Sequence, residues 1–292
     1  MTAECVTITS GALTASISAL GAELQHLSDD GGRELMSSGD PAFWHGRAPL
    51  LFPIIGELDG GGYTLDGQHY AMPKHGFARV SLFEITAHSA AAVSFALAAS
   101  DATRAVYPFE FGLDLRFALV GAALRVTATI ANRGDTAMPA SFGFHPAFAW
   151  PLPYGAPRAD HAIRFTQDEP APIRRIDAAG LLLSEPRPTP VEGAMLALRD
   201  DLFVDDALIF DRLHSRSVSY GAPIGPAIEV GFADFPTLGV WTKPGAAFIC
   251  IEPWQGSADP AGFAGDFRDK PGIIEIAPGT ARNFTMTIAL RS

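Results

Sequence analysis

Leu124-Arg125-Val126-Thr127-Ala128-Thr129-Ile130 sets an apolar residue at every second position, with Arg and Thr between them. A period of two is that of a strand, with one face turned to a core and the other to water. The same alternation occurs in Leu113-Asp114-Leu115-Arg116-Phe117, Val93-Ser94-Phe95-Ala96-Leu97, Val6-Thr7-Ile8-Thr9, Leu13 to Ser18 and Phe284-Thr285-Met286-Thr287-Ile288. Between these runs lies turn chemistry: Asp29-Asp30-Gly31-Gly32, Asp59-Gly60-Gly61-Gly62, Asp66-Gly67, Asn132-Arg133-Gly134-Asp135 and Ala277-Pro278-Gly279. Long amphipathic helical windows are missing, and no Gly-rich loop leads from a strand into a helix. The pattern predicts an all-β, mostly antiparallel protein. Gly60-Gly61-Gly62 reads as a hairpin tip. Residues 151–200 are Pro-rich and irregular, and strand patterns resume on both sides, so they read as an excursion covering one end of a sandwich. A single domain over residues 1–292 is the simplest organisation.

Hydrophobic residues make up 48% of the chain and charged ones 18%, which supports a large core and argues against disorder. The net charge of −11 disfavours nucleic acid or an anionic membrane as partner and leaves a neutral or weakly charged ligand. Cys5 and Cys250 are too few for a disulfide framework and read as reduced thiols of a cytosolic, cytoplasmic protein. The first 20 residues carry no Lys or Arg and do not read as a signal peptide, and no apolar run is long enough to span a bilayer.

The run Phe248-Ile249-Cys250-Ile251-Glu252-Pro253-Trp254-Gln255 carries the chemistry. As a strand it places Phe248, Cys250 and Glu252 on one face and Ile249 and Ile251 on the other. Glu252 then continues an apolar face, where lost hydration raises a carboxyl pKa toward the range of a general base. The alternative is a strand that ends at Pro253, with Glu252 in solvent. Two further clusters place polar groups among glycines, prolines and aromatics: Lys74-His75-Gly76-Phe77-Ala78-Arg79 and Ser141-Phe142-Gly143-Phe144-His145-Pro146-Ala147-Phe148. A lone histidine between aromatics is commonly a core residue. Pro146 and Pro253 hold the residues before them extended, which fixes His145 and Glu252.

Together with Leu20-Gly21-Ala22-Glu23-Leu24 and Arg47-Ala48-Pro49-Leu50-Leu51-Phe52-Pro53-Ile54-Ile55-Gly56, these motifs resemble, in order and spacing, the aldose 1-epimerase (galactose mutarotase-like) superfamily. The likeness is to its less-characterised branch. It implies a large antiparallel β-sandwich with an open concave cleft for a sugar; the chemistry of ring opening itself demands no metal or organic cofactor. By position, Glu252 matches the general base at the C1 hydroxyl and His145 the general acid at the ring oxygen. His75 matches a histidine holding the ring oxygen or a neighbouring hydroxyl, and Arg79 a substrate or structural contact. Asp206 matches a hydroxyl-binding aspartate, with a solvated turn acid as the alternative. Trp254 is the best candidate for a platform under the pyranose. Trp44 lies beside the motifs, and Phe144 reads as core. Where relatives carry a basic residue after Phe-Pro-Ile-x-Gly, this chain has Glu57, for which Arg47 or Lys74 are candidate compensating cations.

The residue types suit anomer interconversion independently of the likeness. Ring opening needs one proton removed and another delivered, each positioned group contributing on the order of 10²–10⁴ in rate. No metal-binding His spacing and no Gly-x-Ser-x-Gly elbow occurs. The expected activity is epimerisation of a free hexose or related aldose. Its rivals are a phosphosugar mutarotase, which needs convergent cations in the cleft, and a sugar-binding protein without turnover. The oligomeric state is not legible in the sequence.

Overall fold

The computed structural model describes residues 4–291. Every alternating run quoted above is a strand, and all strand pairings within the sheets are antiparallel. Ala123–Asn132 pairs with Phe111–Val120 on one side and, on the other, with Ala281–Arg291, the central strand of a nine-stranded sheet. Leu124, Val126, Ala128 and Ile130 turn inward and are buried, while Arg125 is exposed. Each inward Leu, Val or Ile contributes roughly 1.5–3 kcal/mol by leaving water.

A second sheet of six strands packs on this face. Its main path runs Leu208–Phe210, Thr237–Trp241, Phe248–Gln255, Phe142–Phe144 and Leu50–Leu51, and Ala147–Ala149 also pairs with Phe248–Gln255. Aromatic contacts fill the interface: Phe142 lies 5.5 Å from Phe284, Phe165 5.3 Å from Phe210 and Phe52 5.3 Å from Phe111, between ring centroids. Cys5–Thr9, Leu13–Ser18 and Glu23–Asp29 form a separate three-stranded sheet. One hydrophobic cluster takes in residues from Val6 to Ile288.

Two expectations are corrected. The hairpin tip is Asp66-Gly67, where both residues have positive φ and join Gly62–Leu65 to Gln68–Ala71; Asp59–Gly61 is a 3-10 turn leading into that hairpin. Two successive positive φ values match the twist of a tight hairpin, which a triple glycine does not specify. The excursion is also more than a cover. Ala162–Phe165 and Met195–Ala197 extend the nine-stranded sheet, and between them the chain bridges at Arg174 to Ile209 and at Leu182 to Pro260. Those bridges bring Ile176 and Gly180 against the outer face of the second sheet, where the cleft lies.

Candidate active site

Strand register brings the two principal residues together. Phe142 and Gly143 pair with Gln255 and Trp254, and Ala147 and Phe148 pair with Cys250 and Ile249. His145-Pro146 interrupts the ladder without shifting its register, so His145 stands opposite Glu252, close enough for side chains to touch. His145 Nε2 lies 3.1 Å from Glu252 Oε2. The contact is not aligned as a hydrogen bond, and Oε2 has no other partner; His145 Nδ1 is also unpartnered. The strand continues through Pro253 to Gln255, with Ile249 and Ile251 in the main core and Phe248, Cys250, Glu252 and Trp254 on the opposite face.

Glycines make room for the indole of Trp254. A Cβ at Gly239 would lie 2.6 Å from it and one at Gly143 2.7 Å, so Trp254 lies over both neighbouring strands. Gly239 is itself the partner of Glu252 on the other side.

His75 arrives by an unusual backbone. Its φ is +67°, and Gly76 beside it lies so close to Phe52 that a Cβ would come within 2.2 Å of the Phe52 carbonyl oxygen. The Gly56 N–H donates to His75 Nδ1 at 3.0 Å. A backbone N–H only donates, so neutral His75 carries its proton on Nε2.

The cleft is a cavity of about 340 Å³ walled by His75, His145, Glu252, Arg79, Asp206 and Trp254, with Lys74, Trp44, Trp241 and Lys243 among the remaining lining. Six of the seven site residues expected from sequence therefore share one cavity. Arg47 does not line it: its guanidinium donates to the carbonyls of Gln25 and Ser38 at 3.0 and 2.6 Å, tying down the chain before the Leu50–Leu51 strand. Glu57 is also absent from the walls, and its side chain sits behind Gly180. Of the two candidate compensating cations, the cavity contains Lys74. Trp241, Lys243, Ile176 and Gly180 escaped the sequence reading. The available signal was Leu238-Gly239-Val240-Trp241, a strand-like run whose aromatic end leads into Lys243-Pro244-Gly245.

Burial governs the electrostatics. Desolvation pushes the Glu252 carboxyl well above the ordinary range and Asp206 adds to this, while Lys74 and the nearby Trp254 indole partly offset it. Desolvation pulls His145 down to about 3, against a raising contribution from its own backbone, and Arg79 and Lys74 lower it further. His75 falls well below 6.5, first through burial and then through His145, Lys74 and Arg79. Burial also lowers Arg79, which Glu23 opposes. The Glu252–His145 pair thus favours a neutral state holding one proton. His145, Cys250 and Glu252 offer ligand atoms within 4.8 Å of one another, but the Cys250 thiol is packed against Phe248 and Ala147, outside the cavity lining. Burial raises its pKa well above the usual value, and the protonated thiol is a packing group, the thiolate being the metal ligand.

The sequence model of the family described as Aldose 1-epimerase matches residues 4–260. The chain belongs to the aldose 1-epimerase family. Within that family it falls in the galactose mutarotase-related, LacX-like branch. It is 32% identical over 276 residues to chromosomal Protein LacX of Lactococcus lactis subsp. lactis, covering 91% of this chain and 92% of that one. A galactose mutarotase related enzyme from Lactobacillus acidophilus superposes with a TM-score of 0.91 at 31% identity, over 99% of this chain and 98% of the other. A galactose mutarotase-like protein from Lactobacillus casei ATCC 334 gives 0.91 at 29% identity, over 99% and 100%. The fold is that of the galactose mutarotase-like proteins. Proteins of the aldose 1-epimerase family bind sugars.

Proposed function

We propose that the protein is an aldose 1-epimerase that interconverts the α and β anomers of a free hexose or related aldose by acid–base opening and closing of the ring. One observation carries this: Glu252 and His145 meet 3.1 Å apart on the wall of the family's expected sugar cleft, with a carboxylate oxygen left unpartnered. The C1 hydroxyl and the ring oxygen of a hemiacetal share one carbon, so two adjacent groups reach both.

When the shared proton sits on His145, the Glu252 carboxylate takes the proton of the C1 hydroxyl. The C1 carbonyl forms, the bond from C1 to the ring oxygen breaks, and that oxygen takes a proton from the imidazolium. Both residues are then in the neutral forms that burial favours. Rotation about the C1–C2 bond presents the other carbonyl face. On closure His145 recovers the proton of the attacking hydroxyl, and Glu252 returns its own to the C1 oxygen. His75 Nε2–H serves as a donor to the ring oxygen or a neighbouring hydroxyl, Asp206 as an acceptor, and Trp254 as an apolar floor.

Lys74, Arg79 and Lys243 on the same walls favour a second reading, a hexose 6-phosphate as substrate. Polarimetry of freshly dissolved α-D-glucose, α-D-galactose and α-D-glucose 6-phosphate, with the wild type and Glu252→Gln, tests both. Acceleration lost on the order of 10²–10⁴ in the variant is expected. No acceleration of any of the three by folded protein would remove these substrates, and binding without turnover would favour a sugar-binding protein.

A further inference from the structure

The cleft does not end at the walls of the catalytic cavity. A second cavity of about 620 Å³ adjoins it, and Lys74, Ile176, Gly180, Asp206, Trp241 and Lys243 line both. Volumes of 300–1,000 Å³ are those of ligand pockets, and the second space is the larger. Resting on the epimerase reading above, we propose that the two cavities form one site for a reducing oligosaccharide, its reducing-end ring beside Glu252 and its second ring in the adjoining cavity.

The walls favour a sugar ring over a phosphate. The space exceeds what one phosphate group fills. Both signs of charge line it: Arg187 and Lys243 have no ion-pair partner among the described residues, and neither has Asp205. Carboxylates repel an anion, whereas a hydroxyl both donates and accepts, and so uses cations and carboxylates together. Other charged groups hold the wall in shape. Arg175 donates to the Leu202 and Asp206 carbonyls at 2.8 and 2.7 Å, and Asp177 accepts from Ala179 and Leu181 N–H at 2.8 and 3.0 Å. Trp241, only partly buried, stands at the junction and offers an aromatic face to either ring.

Chemistry fixes the orientation. Ring opening needs a free hydroxyl on C1, so the second ring must be attached at another carbon and leave toward the junction. Remote binding energy of this kind raises turnover of the larger substrate selectively.

Anomer exchange measured by NMR on glucose, galactose, maltose, lactose, cellobiose and glucose 6-phosphate tests the proposal, with trehalose as a sugar that has no free C1 hydroxyl. The variants are Ala179→Trp, an exposed residue lining only the second cavity, and Arg187→Ala. The expected result is a kcat/KM on at least one reducing disaccharide about tenfold or more above that on its reducing-end monosaccharide. Ala179→Trp should abolish this advantage and Arg187→Ala reduce it. Monosaccharides turned over as well as or better than every disaccharide would overturn the second ring and leave the epimerase standing. A disaccharide preference untouched by both variants would overturn the placement. Preference for glucose 6-phosphate, lost in Lys74→Ala, would overturn it in favour of an anion site. No exchange of any sugar by folded protein would remove the epimerase reading itself, and the proposal with it.

Discussion

Glu252 and His145 hold one proton between them, and the pH dependence of turnover should report that proton. Adding a second proton leaves no base, and His145 accepts it only toward about pH 3. Removing the last one leaves no acid, and Glu252 releases it only well above the ordinary carboxyl range. The expected profile of kcat/KM is a broad plateau, its acid limb below that of an exposed histidine; a sharp limb at pH 6.5 would contradict the burial argument. His145→Gln removes the acid and should cost on the order of 10²–10³ in kcat. His75 answers to a different constraint. Its Nδ1 satisfies the buried Gly56 N–H, so His75→Phe orphans that donor at about 1–3 kcal/mol, besides placing a bulky residue at positive φ. Urea unfolding should show His75→Asn, which tolerates that backbone, losing less stability than His75→Phe. Equal losses would mean that neither the orphaned N–H nor the positive φ separates the two variants.

At the scale of elements, the site depends on one strand lying between two that are locally side-chain free. Phe248–Gln255 carries Glu252 and Trp254, and the indole occupies the space that Gly143 and Gly239 leave open on the neighbouring strands. Gly239→Ala places a methyl 2.6 Å from the ring. Overpacking of this kind costs about 1–3 kcal/mol. Because Trp254 and Glu252 share the strand, turnover should fall with stability, and tryptophan fluorescence should report a displaced indole. An unchanged midpoint of unfolding with full turnover would show that the strand absorbs the methyl freely. The alternation of this strand was legible in the sequence, and so was the face bearing Glu252. Its pairing was not: Leu50–Leu51 and Ala147–Ala149 are too short to show a period, and their places are set by contacts across the sheet. Trp241 and Lys243 were missed for the same reason, since the strand that delivers them is adjacent in space to Glu252 by pairing alone. Arg47 misled in the opposite direction, because its place in a motif does not reveal that backbone carbonyls occupy its guanidinium.

Across the whole molecule, buried titratable groups tie the site to stability. The fold class was legible because period-two runs span most of the chain, whereas the convergence of residues 75, 145, 206 and 252 required the tertiary structure. Having converged, they titrate against folding. His145 and His75 have folded pKa values below the unfolded 6.5. As pH falls below 6.5 the unfolded chain binds protons that the folded one refuses, and each histidine removes about 1.4 kcal/mol of stability per pH unit. Glu252 has the opposite sign. Its folded pKa lies well above 4.5, so the folded state holds a proton the unfolded state has released, and stability falls as pH rises through that window. From pH 4.5 up to the pH at which its folded carboxyl ionises, Glu252 therefore offsets one histidine wherever that histidine is still gaining protons in the unfolded chain below 6.5. Glu252→Gln removes the offset. Relative to wild type, its stability from urea unfolding should gain about 1.4 kcal/mol for each pH unit of rise across that window, even as its turnover is lost. A difference that stays flat from pH 4.5 to 6.5 would mean that Glu252 is already ionised in the folded protein, and would make its carboxylate, with no borrowed proton, the resting base.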